Sequence, residues 1–498
     1  MKMAEKYFYC IALAFLISGC AVGPDFHRPQ APAGAGYTPQ PLAPTSSANV
    51  AGGEEQRFID GMDIPKQWWA LFESPQLNSL IEKSIKANPT IGAAKAALRQ
   101  AHEYVAAQKG LFFPTIQAGG SASRQKDAVE TLSPTLTSGQ EFFSLYTAQL
   151  TVSYMPDVFG LNRRTVESLA AQAEFQRFQL EAAYLSLSSN VVAAAVQEAS
   201  ARAQIEATKK IIEIEVQLLN AQRRHLALGY ATGLDVAAQE AALAQVQATL
   251  PPLEKQLALT RDQLAALAGR FPSEQMEEKF DLDALSLPRE LPLSLPSRLV
   301  EQRPDVRAAE AQWHSACALV GVAVANMLPQ ISITGSMGGT STQISQMFAS
   351  GSTFYGLAAN VAQTIFDAGT LLHKKRAAEA GLDQAAAQYR STVINAFQNV
   401  ADSLHALEED ANALKAAVDA ERAARRTLDL TRRQLELGYV NYLVVLAAEQ
   451  AWRQSLINLV LARANRFADT AALYMALGGG WWNSGDMASA KEAEPKKP

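Results

Sequence analysis

Few residues of this 498-residue chain are placed to do chemistry. The histidines are His27, His102, His225, His314, His373 and His405. None pairs with another at i, i+4, the spacing that sets two zinc ligands on one helix face. Each therefore reads as a surface or packing residue. Cys10, Cys20 and Cys317 make neither a disulfide framework nor a paired metal motif. Cys317 lies in an apolar helical run and reads as a small buried residue, not a nucleophile. Asp157, before Phe159-Gly160, and Asp367, after Phe366, flank strand-to-helix turns, where a carboxylate caps a helix start. There is no phosphate-binding glycine loop and there are no paired intramembrane acids. No catalytic residue and no metal site is expected, and the chain does not read as an enzyme.

Cys20 is the exception. Lys2 and Lys6 flank Glu5, and residues 7–17 form an apolar run too short to span a bilayer as a helix, so it reads as a signal core. The run ends in Ile17-Ser18-Gly19-Cys20, which resembles a bacterial lipobox. That resemblance implies cleavage before Cys20 after lipid attachment to its sulfur. Residues 1–19 are then a signal peptide. The only cofactor-like group expected is covalent lipid on Cys20, palmitate among its acyl chains. The alternative is an ordinary signal peptide with an incidental cysteine. Ala21 stands where Asp would suggest inner-membrane retention, so the resemblance points to the outer membrane.

The elements behind these residues are long helices. Residues 161–228 contain no proline or glycine and are crowded with good helix formers. As one helix they would reach about 100 Å at ~1.5 Å per residue. Charges such as Glu167, Arg177, Glu181, Arg202 and Lys209 exclude a transmembrane span. The pattern recurs. Gly160 and Gly369 precede the two runs at an offset of 209 residues (369 − 160). Leu228-Gly229-Tyr230 returns at that offset as Leu437-Gly438-Tyr439, Glu240 as Glu449 and Gly269 as Gly478. Pro89 and Pro114 match Pro304 and Pro329 at 215 (304 − 89). This is a duplicated half, not a short solenoid unit. Val236, Leu243, Leu250, Leu257 and Leu264 recur every seven residues. Val400, Leu404, Leu407, Ala411, Leu414 and Val418 alternate steps of four and three, as coiled-coil seams do. Pro251-Pro252 is expected to kink or break its helix.

Between the helices the period changes to two. Tyr146, Ala148, Leu150, Val152 and Tyr154 alternate with Thr147, Gln149, Thr151 and Ser153. Tyr355, Leu357, Ala359 and Val361 take the corresponding positions in the second half, and Ile331 and Ile333 alternate with Ser332 and Thr334. These are strands with one apolar face, two per half and four per chain. In lipid a sheet must close on itself, and single-chain bacterial barrels need about 8 strands or more. Copies must therefore share one barrel, although two, three or four copies remain open. The formal net charge is −5 with no basic block, so nucleic acid is not an expected partner.

The expected fold class is mainly α with a transmembrane β-barrel contribution. Long coiled-coil hairpins form an α-barrel, and four β-strands per chain sit in an internal two-fold repeat. The expected organisation is a signal peptide (1–19), a lipidated extended segment (20–60), a first repeat (61–270), an inter-repeat equatorial linker (271–296), a second repeat (297–482) and a tail (483–498). The linker, with residues 68–87, is expected to make a belt.

Four short motifs occur in a telling order. They are Cys20-Ala21-Val22-Gly23-Pro24-Asp25-Phe26, Trp68-Trp69 with Leu71-Phe72, Arg303-Pro304-Asp305-Val306, and Ala476-Leu477-Gly478-Gly479-Gly480-Trp481. Together they resemble the TolC-like outer-membrane efflux factors, in their lipoprotein subgroup of OprM/NodT type. The resemblance implies a homotrimer with a 12-stranded barrel, lipid-anchored in the outer membrane and extending into the periplasm. It implies the exit duct of a tripartite pump that passively conducts drugs, toxic organic compounds or organic acids and so confers resistance. The partners implied are a periplasmic adaptor (membrane-fusion) protein, an inner-membrane pump of RND type and outer-membrane lipid. The turns carrying Gly229, Tyr230 and Asp235, and Gly438, Tyr439 and Tyr442, would be the periplasmic tip, where the gate lies and the adaptor docks. The second turn lacks the acidic residue many relatives carry. A plain helical hairpin with a glycine cap explains the glycines alone. The alternatives are a type I protein-secretion channel and a non-pore periplasmic coiled-coil scaffold or adaptor lipoprotein.

Overall fold

The computed structural model describes residues 21–30, 36–39, 42–126, 142–274 and 276–483. Cys20, the signal peptide and residues 484–498 lie outside the described residues. In chain order the elements are β1 (Arg57–Asp60), α1 (Pro75–Ala87), α2 (Pro89–Gly110), β2 (Thr115–Lys126), β3 (Phe142–Tyr154), α3 (Leu161–Ala227) and α4 (Gly233–Leu267). Then follow β4 (Glu290–Leu293), α5 (Pro296–Gln302), α6 (Pro304–Ala325), β5 (Gln330–Ser341), β6 (Thr353–Ala362), α7 (Thr370–Glu436) and α8 (Tyr442–Ala476). The chain is mostly helical, with long helices of matched length. α3 and α7 each have 67 residues, and α4 and α8 each have 35.

Two compact units divide the chain. One comprises residues 1–28, 97–176 and 309–389 and holds the sheet of order β2-β3-β5-β6. Every neighbouring pair in that sheet is antiparallel. β3, β5 and β6 are the strands read from the alternation, and β2 supplies the fourth that the count of two per half required. In the same unit, Asp157 accepts the backbone N–H groups of Asn162 and Arg163 at the start of α3, and Asp367 does the same for Gly369 and Leu371 near α7. Both acids are helix-start caps.

The second unit comprises residues 29–96, 177–308 and 390–498. On α7, Val400, Leu404, Leu407, Ala411 and Leu414 are fully buried, so that seam holds throughout. On α4 it shifts. Val236, Gln239, Ala242 and Val246 are buried, whereas Leu243, Leu250 and Leu257 are half-buried at the stripe's edge. The helix also runs unbroken through Pro251 and Pro252, contrary to a break there. Both prolines face outward, so their rings meet no packed neighbour, and the lost backbone bonds leave carbonyls open to water.

Two strands escaped the sequence reading. β1 pairs in parallel with β4, from Arg57 opposite Glu290 to Asp60 opposite Leu293. Each has four residues, and Pro292 interrupts any alternation. The pairing means that the N-terminal segment is not merely extended. The Arg466 side chain, fully buried, donates to Thr45 Oγ1, Gln56 Oε1 and the Glu54 carbonyl, fastening that segment down. The linker and residues 68–87 do meet: Ser286 donates from N–H to the Phe72 carbonyl, and Lys83 pairs with Glu278 at 2.9 Å.

Three signature motifs converge in this unit. Trp68 is buried, stacked on Tyr474 with ring centroids 5.4 Å apart. Arg303 donates to the Ala476 carbonyl at 2.8 Å, and Trp481 donates to the Gln302 carbonyl. Gly478 has φ +96°, and a Cβ there would lie 2.6 Å from the Gln302 carbonyl oxygen. These motifs build a packed joint, not a reaction centre.

Restoring the missing helix bonds should stabilise the protein. The double substitution Pro251→Ala/Pro252→Ala is expected to raise unfolding free energy by about 3 kcal/mol at most. Denaturant titration followed by far-UV circular dichroism checks it, and an unchanged or lower midpoint would contradict the account of α4.

Candidate functional site

Strand register places residues directly opposite one another on one face. Ile116, Val152, Gly335 and Leu357 lie in one row across the four strands, and Ala118, Leu150, Met337 and Tyr355 in another. Ala122 and Tyr146, and Tyr154, Ile333 and Ala359, continue the same face. It is apolar yet exposed: Tyr355 is 90% and Leu357 82% accessible. The opposite face carries Gln117, Thr151, Ser336 and, beside them, Thr147 hydrogen-bonded to Thr340 at 3.0 Å. Among the described residues β2 and β6 pair along one side only. Each thus leaves a row of backbone donors and acceptors without strand partners.

The segment behind Cys20 is held beside this sheet. Arg164, buried in the first turn of α3, donates to the Val22 and Gly23 carbonyls and pairs with Asp25 at 2.7 Å. Phe26 stacks on His314 with centroids 4.4 Å apart, and His314 contacts Glu167 at 3.0 Å. Cys317 is buried with its Sγ toward the Pro24 carbonyl. The sequence reading missed Arg164, although its place just after Gly160 was visible.

The two helical turns have the same backbone. Gly229 N–H donates to the Leu226 carbonyl and Tyr230 N–H to that of His225, while Gly438 and Tyr439 donate likewise to Leu435 and Gln434. Both are Schellman caps, with Gly229 at φ +77° and Gly438 at φ +80°. The glycines are therefore explained by the turns. Tyr230 and Tyr439 are 81% and 78% exposed. Asp235 closes a capping box at the start of α4, accepting from the Thr232 N–H at 2.8 Å and Oγ1 at 2.7 Å. The second turn uses Asn441 as its cap.

Tyr442 differs from those two exposed tyrosines: it is only 6% exposed. Its hydroxyl donates to Gln239 Oε1, and Gln239 Nε2 donates to Glu215 Oε2 at 2.6 Å. Glu215 in turn lies 2.9 Å from Arg453, so α3, α4 and α8 share one buried polar chain. Arg432 on α7 pairs with buried Glu449 at 2.9 Å. Burial pushes the Glu449 carboxyl up against the opposing pull of Arg432, and burial likewise raises the Tyr442 phenol. Arg223 and Glu240 form the matching pair one offset earlier, at 2.7 Å but exposed. The Glu240/Glu449 recurrence was visible in the sequence. Gln239 and Glu215 were not, because polar residues at those positions read as solvent-facing. Among the described residues no group of three or more His, Cys, Asp or Glu side chains could hold a metal.

The Asp235 cap carries a pH dependence. Its hydrogen bonds from Thr232 hold the carboxyl below the usual range. The stabilisation is therefore present above the unfolded value of about 3.9 and lost as pH falls through the lower folded value. Thr232→Ala should cost the tip about 1 kcal/mol and lessen that acid sensitivity, since only the backbone N–H bond to Asp235 remains. Amide hydrogen exchange at the start of α4, compared at neutral and acid pH, reads both effects.

The model of the outer membrane efflux protein family matches residues 80–270 and 295–479. The chain is 28% identical over 493 residues to the toluene efflux pump outer membrane protein TtgC of Pseudomonas putida, covering 98% of each chain. It is 30% identical over 461 residues to the pyoverdine export outer membrane protein OpmQ of Pseudomonas aeruginosa, covering 90% of this chain and 94% of that one. Among solved structures, the outer-membrane channel OprN superposes with a TM-score of 0.83 at 26% identity, covering 93% of this chain and all of that one. Sheet, long helices and relatives agree: the chain belongs to the outer membrane efflux protein family, whose members are channels and not enzymes, and it is an outer-membrane efflux protein.

Proposed function

We propose that three copies of this chain close into one twelve-stranded barrel, the exit duct of a tripartite efflux pump. The observation that carries this is the four-stranded sheet with one apolar face and two open edges. An edge β6 of one copy meets β2 of the next, a head-to-tail contact that generates a ring. The apolar face then meets lipid, and the polar face lines the pore. The two halves, 61–270 and 297–482, act as structural repeats that each contribute one strand pair and one long helical hairpin. Covalent lipid on Cys20 anchors the chain, and the Arg164 clamp on residues 22–25 supports an attachment point close to the sheet.

Conduction is passive in this reading. A periplasmic adaptor docks at the helical tips, and an inner-membrane pump of RND type supplies the energy. Relatives are named for toluene and pyoverdine, so small organic molecules are the proposed cargo class. The gate is a population shift: a partner that binds the open arrangement better moves the equilibrium toward it. Tyr439 presents its ring at the tip, whereas Tyr442 acts from inside, tying α8 to α4 through Gln239.

Planar-bilayer recording of the purified trimer tests both parts. Tyr442→Phe keeps the ring and leaves Gln239 Oε1 without its donor, so resting conductance should rise several-fold, on the order of a 1 kcal/mol bias. Tyr439→Ala should also raise it. Silence from both variants at unchanged trimer content would rule these tyrosines out as the gate. A monomer that makes no pore in lipid would remove the channel reading itself.

A further inference from the structure

We propose that the apolar face of the sheet holds a site for one phosphorylated, multiply acylated glycolipid of the outer leaflet, of the lipid A class. The site rests on the reading of the sheet as part of a barrel. Its lower part is a cavity of about 850 Å³ lined by Ala118, Ala148, Leu150, Met337, Phe348 and Tyr355. Five of these are strand residues of the apolar face. The sixth, Phe348, comes from the β5–β6 connection, which folds back over that face. A Cβ at Gly339 would lie 2.0 Å from the Met347 carbonyl oxygen and 3.1 Å from the Phe348 ring. Only glycine there lets the connection lie this close. Thr340 N–H donates to the Ser352 carbonyl at 2.8 Å and closes it. The connection thus walls a trough that small side chains leave open on the strand side.

The upper part is cationic. β2 and β3 run on past β5, whose pairing with β3 stops at Tyr146 opposite Ser341. On this extension Arg124 stands opposite Ser144 and Lys126 opposite Phe142, in line with Ala122 opposite Tyr146. Both cations therefore share the apolar face. Lys126 Nζ lies 5.3 Å from the Phe142 ring centroid. Cations on the lipid side of a barrel are costly near the midplane and tolerated at the interface. Their position at the end remote from the helices puts them at the outer surface. Arg124 lies six residues beyond Ala118, about 20 Å at ~3.4 Å per residue, slightly more than one leaflet of a ~30 Å core. An acyl chain in the trough thus places its phosphorylated headgroup beside Arg124 and Lys126, where charge-assisted hydrogen bonds form.

A second copy of the chain pairs with the sheet's edges and leaves this face to lipid. Glycerophospholipid is the competing occupant. The full chain, reconstituted as the assembled pore in nanodiscs of phosphatidylethanolamine with or without lipid A, separates the two. After extraction into detergent, native mass spectrometry counts the lipid retained. Lipid A should be retained in preference to phosphatidylethanolamine, and Arg124→Ala/Lys126→Ala should weaken retention about tenfold. Ala118→Trp, filling the trough, should displace it, and Phe348→Ala, outside the strands, should weaken it if the tryptophan disturbs folding. Arg422→Ala, on α7, should change nothing. Equal retention by all variants, or equal retention of phosphatidylethanolamine by the wild type, overturns the site. A chain that enters neither disc overturns the barrel and this site with it.

Discussion

A peptide group in hydrocarbon must find its hydrogen-bond partner inside the protein. That constraint organises the whole molecule. The sheet satisfies it between β2 and β3, β3 and β5, and β5 and β6, and leaves it unmet at two edges. Four strands are too few to bend those edges together. In the proposed trimer, other copies of the chain supply the partners that those edges lack. Exposed apolar side chains such as Tyr355 and Leu357, out of place in water, would face lipid in that proposed arrangement.

Away from the sheet the problem inverts, because long polar helices must pack side by side in water. Alanine and leucine seams do most of this, as at Leu404 and Leu407 on α7. Buried charges add specificity at chosen levels. One nitrogen of Arg466, Nη2, reaches Thr45, Gln56 and the Glu54 backbone, tying the N-terminal segment to α8. Burial and the neighbouring Asp469 push the Asp410 carboxyl up to about 7. Tyr442, Gln239 and Glu215 do similar work nearer the turns. A polar chain of this kind is costly when one member is lost, which suits a contact meant to hold one arrangement against another.

Motifs that look functional in a sequence turn out to be structural here. Arg303, Ala476 and Trp481 meet around Gln302, and Gly478 is required because its Cβ would strike a carbonyl. Gly229 and Gly438 are cap residues with positive φ. Their recurrence reflects a backbone need repeated in each half and implies no shared chemistry.

Much was legible from sequence alone. Period-two alternation identified β3, β5 and β6, since one face of each meets a different solvent from the other, whereas β2 followed only from the count of two strands per half. Freedom from proline and glycine marked α3, the matching offset after Gly369 marked α7, and the recurring Leu-Gly-Tyr marked where each ends. Those features are local, so the residues that carry them are neighbours in the chain. The β1–β4 pairing, the burial of Tyr442 against Gln239 and the Arg164 clamp on residues 22–25 join positions far apart, with no periodic signal to betray them. Pro251 and Pro252 show the converse. Their local preference argued for a kink or a break, yet α4 runs through both positions as one helix. The sequence by itself determined the long helices and the alternating strands, because side-chain pattern answers to the solvent on each face. Only the tertiary structure decided which polar side chains are buried together, because that depends on where separate helices cross.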